Sequence, residues 1–122
     1  QMMEFSMTTT TDTALVETVT ASSFESTVLR ASGPIVAEFM SYGCTHCRTI
    51  EPVVLEVAKA LEGKERIVRV NVGIDQDLAN SYNVEGTPTF VMFLDGQELG
   101  RIEGPHPSYP VLMTALTRPF PS

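Results

Sequence analysis

Cys44 and Cys47 are the only cysteines in the chain, and they sit where an apolar run gives way to a helical pattern. The run Ile35-Val36-Ala37-Glu38-Phe39-Met40 is apolar except for Glu38, as expected of a central strand covered on both faces. After the cysteines, Ile50, Val53, Val54, Val57, Ala58 and Leu61 recur at three- and four-residue steps, making one apolar stripe that Gly63 closes. A thiol in the first turn of such a helix meets free N–H groups and the positive end of the dipole, which favour a thiolate. The thiolate is the form that attacks a disulfide. A disulfide between such near neighbours closes too short a loop to staple a fold. Local chemistry therefore points to thiol–disulfide exchange.

The remaining segments read as alternating strands and helices. Leu15–Val19 has β-branched strand character. Ser22 with Glu25 three residues on forms a capping box that predicts a short helix to about Arg30, stopped by Gly33-Pro34. The helix after the first cysteine runs to about Glu62 with Pro52 inside it, where a kink is expected. Arg66–Val72 alternates as a strand, and Asp77–Tyr82 forms a short helix. Thr89–Leu94 and Leu99–Glu103 are strands joined by a turn at Asp95-Gly96. Ser108–Thr117 is a last helix with Val111, Leu112, Ala115 and Leu116 inward, and Pro110 is tolerated in its first turn. A strand–helix–strand unit followed by a hairpin implies an α/β domain with a mixed sheet and helices on both faces. The expected boundaries are a flexible tail at 1–13, a domain at 14–118 and a short tail at 119–122.

These features together resemble the thioredoxin superfamily over roughly residues 14–117. The resemblance rests on Cys44-Thr45-His46-Cys47 after a strand, Glu38 six residues before the first cysteine, and Pro52 five residues after the second. Gly86-Thr87-Pro88-Thr89 stands where the family has a cis proline, and Gly104 follows the final strand. It implies a thioredoxin fold, with a central mixed sheet of about five strands flanked by about four helices. It also implies a protein-disulfide oxidoreductase without a cofactor of its own. Cys44 is then the nucleophile and Cys47 the resolving thiol, the two forming the redox disulfide. Glu38 exchanges a proton with Cys47 through water. Thr45, Thr87, Pro88 and Gly104 line the groove for an extended client peptide. His46, before the second cysteine, marks the isomerase-like and more oxidising members, so the potential is expected to lie above that of typical thioredoxin. The chain departs from the family in having Gly43 where a tryptophan is usual and Thr45-His46 for Gly-Pro; Tyr42 stands nearby as partial apolar cover.

Arg69 falls close to the place of a family lysine near the buried acid. Burial should raise the Glu38 pKa and a guanidinium should lower it, so the sequence leaves the direction open. A net charge of −7 makes nucleic acid and anionic membranes poor partners. Expected partners are protein clients carrying cysteines or disulfides and a thioredoxin-reductase-like recycling partner, with the chain a monomer. Met7 is expected to be the native start, and Gln1–Ser6 lacks the charged and apolar regions of a signal peptide. The expected location is the cytoplasm, or the periplasm or exterior if a signal peptide was removed. The competing reading is a zinc- or copper-binding module built on Cys44 and Cys47, with His106 the other soft donor besides His46.

Overall fold

The computed structural model describes residues 15–104 and 108–121, so the tail expected at 1–13 and the loop residue His106 lie outside the described residues. Strand β1 (Val16–Val19) leads into helix α1 (Ala21–Phe24), which continues as a π-helical turn, Glu25–Leu29. Then follow β2 (Pro34–Met40), α2 (Thr45–Ala60), β3 (Arg66–Asn71), α3 (Gln76–Ser81), β4 (Thr89–Leu94), β5 (Gln97–Glu103) and α4 (Tyr109–Thr117). The five strands form one sheet in the order β1-β3-β2-β4-β5. β3 runs parallel to both β1 and β2. β4 is antiparallel to β2 and β5. This is the mixed five-stranded α/β architecture with four helices that the element order predicts.

Strand alternation divides the core into two layers. Val36 and Ile67 pack with Ile50, Val54 and Val57 of α2 and Leu112 and Leu116 of α4. Ala37, Phe39, Val68 and Val70 face the opposite way, toward Phe24 of α1 and Ala79 of α3. On that second face Phe24, Phe39, Tyr82 and Phe93 form a cluster of tilted and edge-on rings, with centroids 5.4–6.4 Å apart. Glu38 lies between Ala37 and Phe39 and so points to the α2 side. Its partner in the β2–β3 register is Arg69, which by the same alternation shares the face of Ile67.

Three local expectations differ from the structure. The first helix is entered two residues early: Thr20 is its N-cap, and its N–H donates to Ser23 Oγ at 3.0 Å. Ser22 and Glu25 make no capping box, because the threonine after β1 already closes the turn. Val111 is 52% exposed rather than inward, and α4 buries Leu112 and Leu116. Phe120 belongs to the core beside Leu112 and Leu116 instead of to a tail.

The β4–β5 turn has Asp95 and Gly96 at positive φ, +51° and +84°, as a two-residue hairpin turn requires. Gly96 also meets the π-helical turn: a Cβ there would fall on the Leu29 carbonyl oxygen. Asp95 Oδ1 accepts from the Gly33 N–H at 2.8 Å, tying the hairpin to the start of β2.

Phe120 provides a test of where the domain ends. Phe120→Ala should lower the unfolding free energy by about 3 kcal/mol, as expected for an aromatic removed from a core, measured by urea denaturation. A loss under about 0.5 kcal/mol is the outcome expected of a surface tail.

Candidate active site

The loop between β2 and α2 sets the first cysteine. Gly43 N–H donates to Ser41 Oγ at 3.2 Å and Cys44 N–H to the Ser41 carbonyl at 3.1 Å, which turns the chain into the helix. Cys44 is then the N-cap of α2, with extended backbone (φ −84°, ψ 121°). Its carbonyl accepts the Arg48 N–H at 3.1 Å, and its sulfur accepts the Cys47 N–H at 3.2 Å. A serine or aspartate oxygen commonly fills this role; here a sulfur does, so the unpaired donors of the helix end point at it.

Cys44 is half-buried and Cys47 buried, and both thiols are free. Burial opposes ionisation of Cys44, but hydrogen bonds outweigh it: from the Cys47 thiol, the Thr87 side chain, and the backbone N–H groups of Cys47 and His46. Its pKa is therefore lowered. For Cys47 the balance is reversed. Burial raises its pKa first, and the hydrogen bond it gives to Cys44 raises it further. One thiol is thus poised as thiolate and its neighbour held as thiol, within hydrogen-bond reach of each other.

Thr87 and Pro88 form the opposite wall. The Thr87-Pro88 peptide is cis, and the Cys44 thiol donates to the Thr87 carbonyl at 3.5 Å. Pro88 is buried, and its carbonyl accepts from Gly104 N–H at 2.9 Å, so Gly104, at φ +83°, is fastened to this loop. Thr45 and His46 are exposed on the first turn of α2. Among the described residues the His46 ring makes no hydrogen bond; its backbone N–H is the part that favours the Cys44 thiolate.

Behind the cysteines lies a buried charge group. Arg69 Nη2 donates to both oxygens of Glu51, at 2.6 and 2.8 Å, and makes only a long contact of 3.5 Å to Glu38 Oε1. Glu38 Oε2 and Arg69 Nε have no partner. Burial raises the Glu38 pKa to about 7; Arg69 pulls it down and Glu51 pushes it up. Desolvation thus wins the contest that the sequence left open. A cavity of about 240 Å³, lined by Met40, Tyr42, Cys47, Arg48, Glu51 and Arg69, adjoins the second cysteine. Glu51 is the residue that sequence reasoning passed over. Its signal was present: it follows Cys47 by four positions, on the same face of α2.

The structure brings Cys44, Cys47, Thr87, Pro88 and Gly104 to one end of the sheet, with Glu38 beneath α2. Among the described residues no group of three or more His, Cys, Asp or Glu side chains that could hold a metal ion occurs. No helix among them is long and apolar enough to cross a membrane.

Two neighbouring thiols with opposed proton affinities at a helix tip define a thiol–disulfide exchange site. Comparison with known proteins agrees. The family model for thioredoxin matches residues 15–116. Thioredoxin from Pseudomonas aeruginosa is 40% identical over 78 residues, covering 64% of this chain and 72% of that protein. Thioredoxin 1 from a Nostoc species is 35% identical over 89 residues, covering 73% and 83%. Thioredoxin C-2 from Corynebacterium nephridii is 33% identical over 94 residues, covering 77% and 87%. The chain belongs to the thioredoxin family and is a disulfide oxidoreductase.

The pKa order predicts selective alkylation. Iodoacetamide should modify Cys44 well before Cys47, with a rate midpoint below the ordinary thiol value of about 8.5, as followed by mass spectrometry over a pH series. Glu38 yields a second expectation. Its folded pKa of about 7 lies above the 4.5 of an ordinary carboxyl, so its contribution to stability is complete below that lower value and is lost as pH rises through the upper one. Glu38→Gln should be more stable than the wild type at about pH 8, by on the order of 2 kcal/mol, and the difference should vanish toward about pH 4. Glu65, raised to about 7 by burial as well, is common to both proteins and drops out of the comparison.

Proposed function

We propose that the protein exchanges disulfides with protein clients through Cys44 and Cys47, at a potential more oxidising than that of typical thioredoxin. The observation that carries this reading is the Cys44 sulfur acting as N-cap of α2 beside the Thr87 carbonyl. In client reduction the Cys44 thiolate attacks one client sulfur and the other client sulfur leaves with the electron pair, giving a mixed disulfide. Cys47 then passes its proton through water to ionised Glu38 and attacks Cys44 Sγ. The Cys44–client bond breaks, the Cys44–Cys47 bond forms, and the client thiolate leaves to take up a proton. The client gains two electrons and the cysteine pair loses them. Run backward, the same steps oxidise a client.

Thr87, Pro88, Thr45 and Gly104 are assigned to the groove for an extended client segment, whose backbone pairs beside Thr87. A reductase of the thioredoxin-reductase type is the proposed recycling partner, and the cytoplasm, with the chain a monomer, the proposed setting. His46 supports the oxidising reading because its backbone N–H, which a proline at this position would lack, favours the Cys44 thiolate and hence the reduced form.

Equilibration against glutathione buffers tests the potential. The expected value lies above the roughly −270 mV of thioredoxin and toward the roughly −180 mV of protein disulfide isomerase. His46→Pro should lower it by on the order of 30 mV or more. A wild-type value at or below that of thioredoxin refutes the role given to His46. On Cys47→Ser, client proteins should accumulate as mixed disulfides through Cys44, and on Cys44→Ser none should.

A further inference from the structure

One cation serves two carboxylates behind Cys47, and the distances say which of them it serves. The Arg69 guanidinium gives Glu51 two short contacts, 2.6 and 2.8 Å, and Glu38 one of 3.5 Å. The Glu51 side chain is 27% exposed and the Glu38 side chain not exposed at all. A guanidinium remains charged in any protein setting, so its orientation decides which acid it neutralises. Turned fully onto Glu38 it would make a buried ion pair and fix that carboxyl as an anion. Instead it faces outward, and Glu38 Oε2 is left without a partner.

We propose that Glu51 is a positioning residue: its grip on Arg69 holds the cation away from Glu38 and so keeps the Glu38 carboxyl able to trade a proton with Cys47. The proposal rests on the exchange reading above and adds to it the group that sets the acid. Glu51 reaches the site because it stands four residues after Cys47 on α2, while Glu38 and Arg69 face each other across β2 and β3. The charged and titratable groups around the cavity are Arg69 from β3, Cys47, Arg48 and Glu51 from α2, and Tyr42 from the loop after β2. β1 contributes Val16 and Thr18, and β4 sets Phe90 opposite Glu38; none of these ionises. Arg48 is engaged elsewhere, its Nη1 donating to the Tyr42 carbonyl at 3.1 Å. No other cation from these elements is placed to take the part of Arg69.

Losing Glu51 acts on Glu38 twice in one direction: a negative charge disappears and the guanidinium is freed to approach. Both lower the pKa of Glu38. A weaker base then receives the Cys47 proton, and the resolving step slows.

The test is Glu51→Gln in the full-length reduced protein, with the Glu38 carboxyl followed by ¹³C NMR against pH. Glu38 should titrate lower by about one pH unit or more than in the wild type. The acid limb of the rate of mixed-disulfide resolution should move down with it, and the plateau should fall severalfold. Glu51→Asp, which restores the charge, should recover part of the shift, and Glu51→Ala serves if the amide mispacks. An unchanged Glu38 titration in folded Glu51→Gln overturns the proposal, and so does a shift upward. If Glu38 shifts as stated but Glu38→Gln leaves the resolution profile untouched, the positioning stands and the proton-transfer role of Glu38 falls instead.

Discussion

A helix begins at Cys44 with a sulfur where an oxygen usually sits. The Cys47 N–H at 3.2 Å, the His46 N–H and the Cys47 thiol all bear on this one atom. Much of the fold can be understood as keeping that arrangement fixed. Strand β2 holds the loop before α2 from one side through ladders to β3 and β4. The apolar stripe of α2 anchors the helix along its length, from Ile50 to Ala58. The Pro88–Gly104 hydrogen bond fastens the facing loop to the end of β5. Two of the sulfur's partners, the N–H groups of His46 and Cys47, are backbone donors fixed by the start of the helix itself.

Beneath that tip the protein accepts an awkward electrostatic arrangement. Three ionisable side chains share a small space, and two polar atoms among them go without partners. Replacing such a group by well-packed apolar residues is commonly neutral or stabilising, so stability alone gives no reason to retain it. A buried acid near neutral pKa is useful for moving a proton at physiological pH. The cost is confined to side chains: the strands that carry Glu38 and Arg69 are fully paired and central, so ionisation changes need no movement of the sheet.

The sequence disclosed the architecture because its signals were local and mutually consistent. The apolar run of β2, the stripe of α2 and the Asp95-Gly96 turn each specify an element without help from distant residues. The site was legible for the same reason wherever a residue type is chemically unusual, as with two cysteines and a lone acid in an apolar strand. What could not be read depended on tertiary geometry. Phe120 follows a helix and lies between prolines, and only the fold shows that it closes the core beside Leu112. The burial of Ile67, Val68, Arg69 and Val70 alike follows from the position of β3 between β1 and β2, which the local pattern of Arg66–Val72 does not state. Whether Arg69 or burial governs Glu38 turns on the aim of one guanidinium, which is set by Glu51 across a helix–sheet contact and has no counterpart in spacing or propensity.

The outer strand β5 has a consequence of its own. It carries Glu98, Arg101 and Glu103, with Gly100 between, and its pairing with β4 slips at Met92/Phe93. Arg101 is bound to Glu98 and also reaches the Tyr82 carbonyl at 2.7 Å. A charged, irregular rim of this kind is a poor template for a stray polypeptide. The open flank of the sheet is thereby guarded against edge-to-edge pairing between copies of the chain, while the reactive sulfur stays at the tip of a helix, away from that rim.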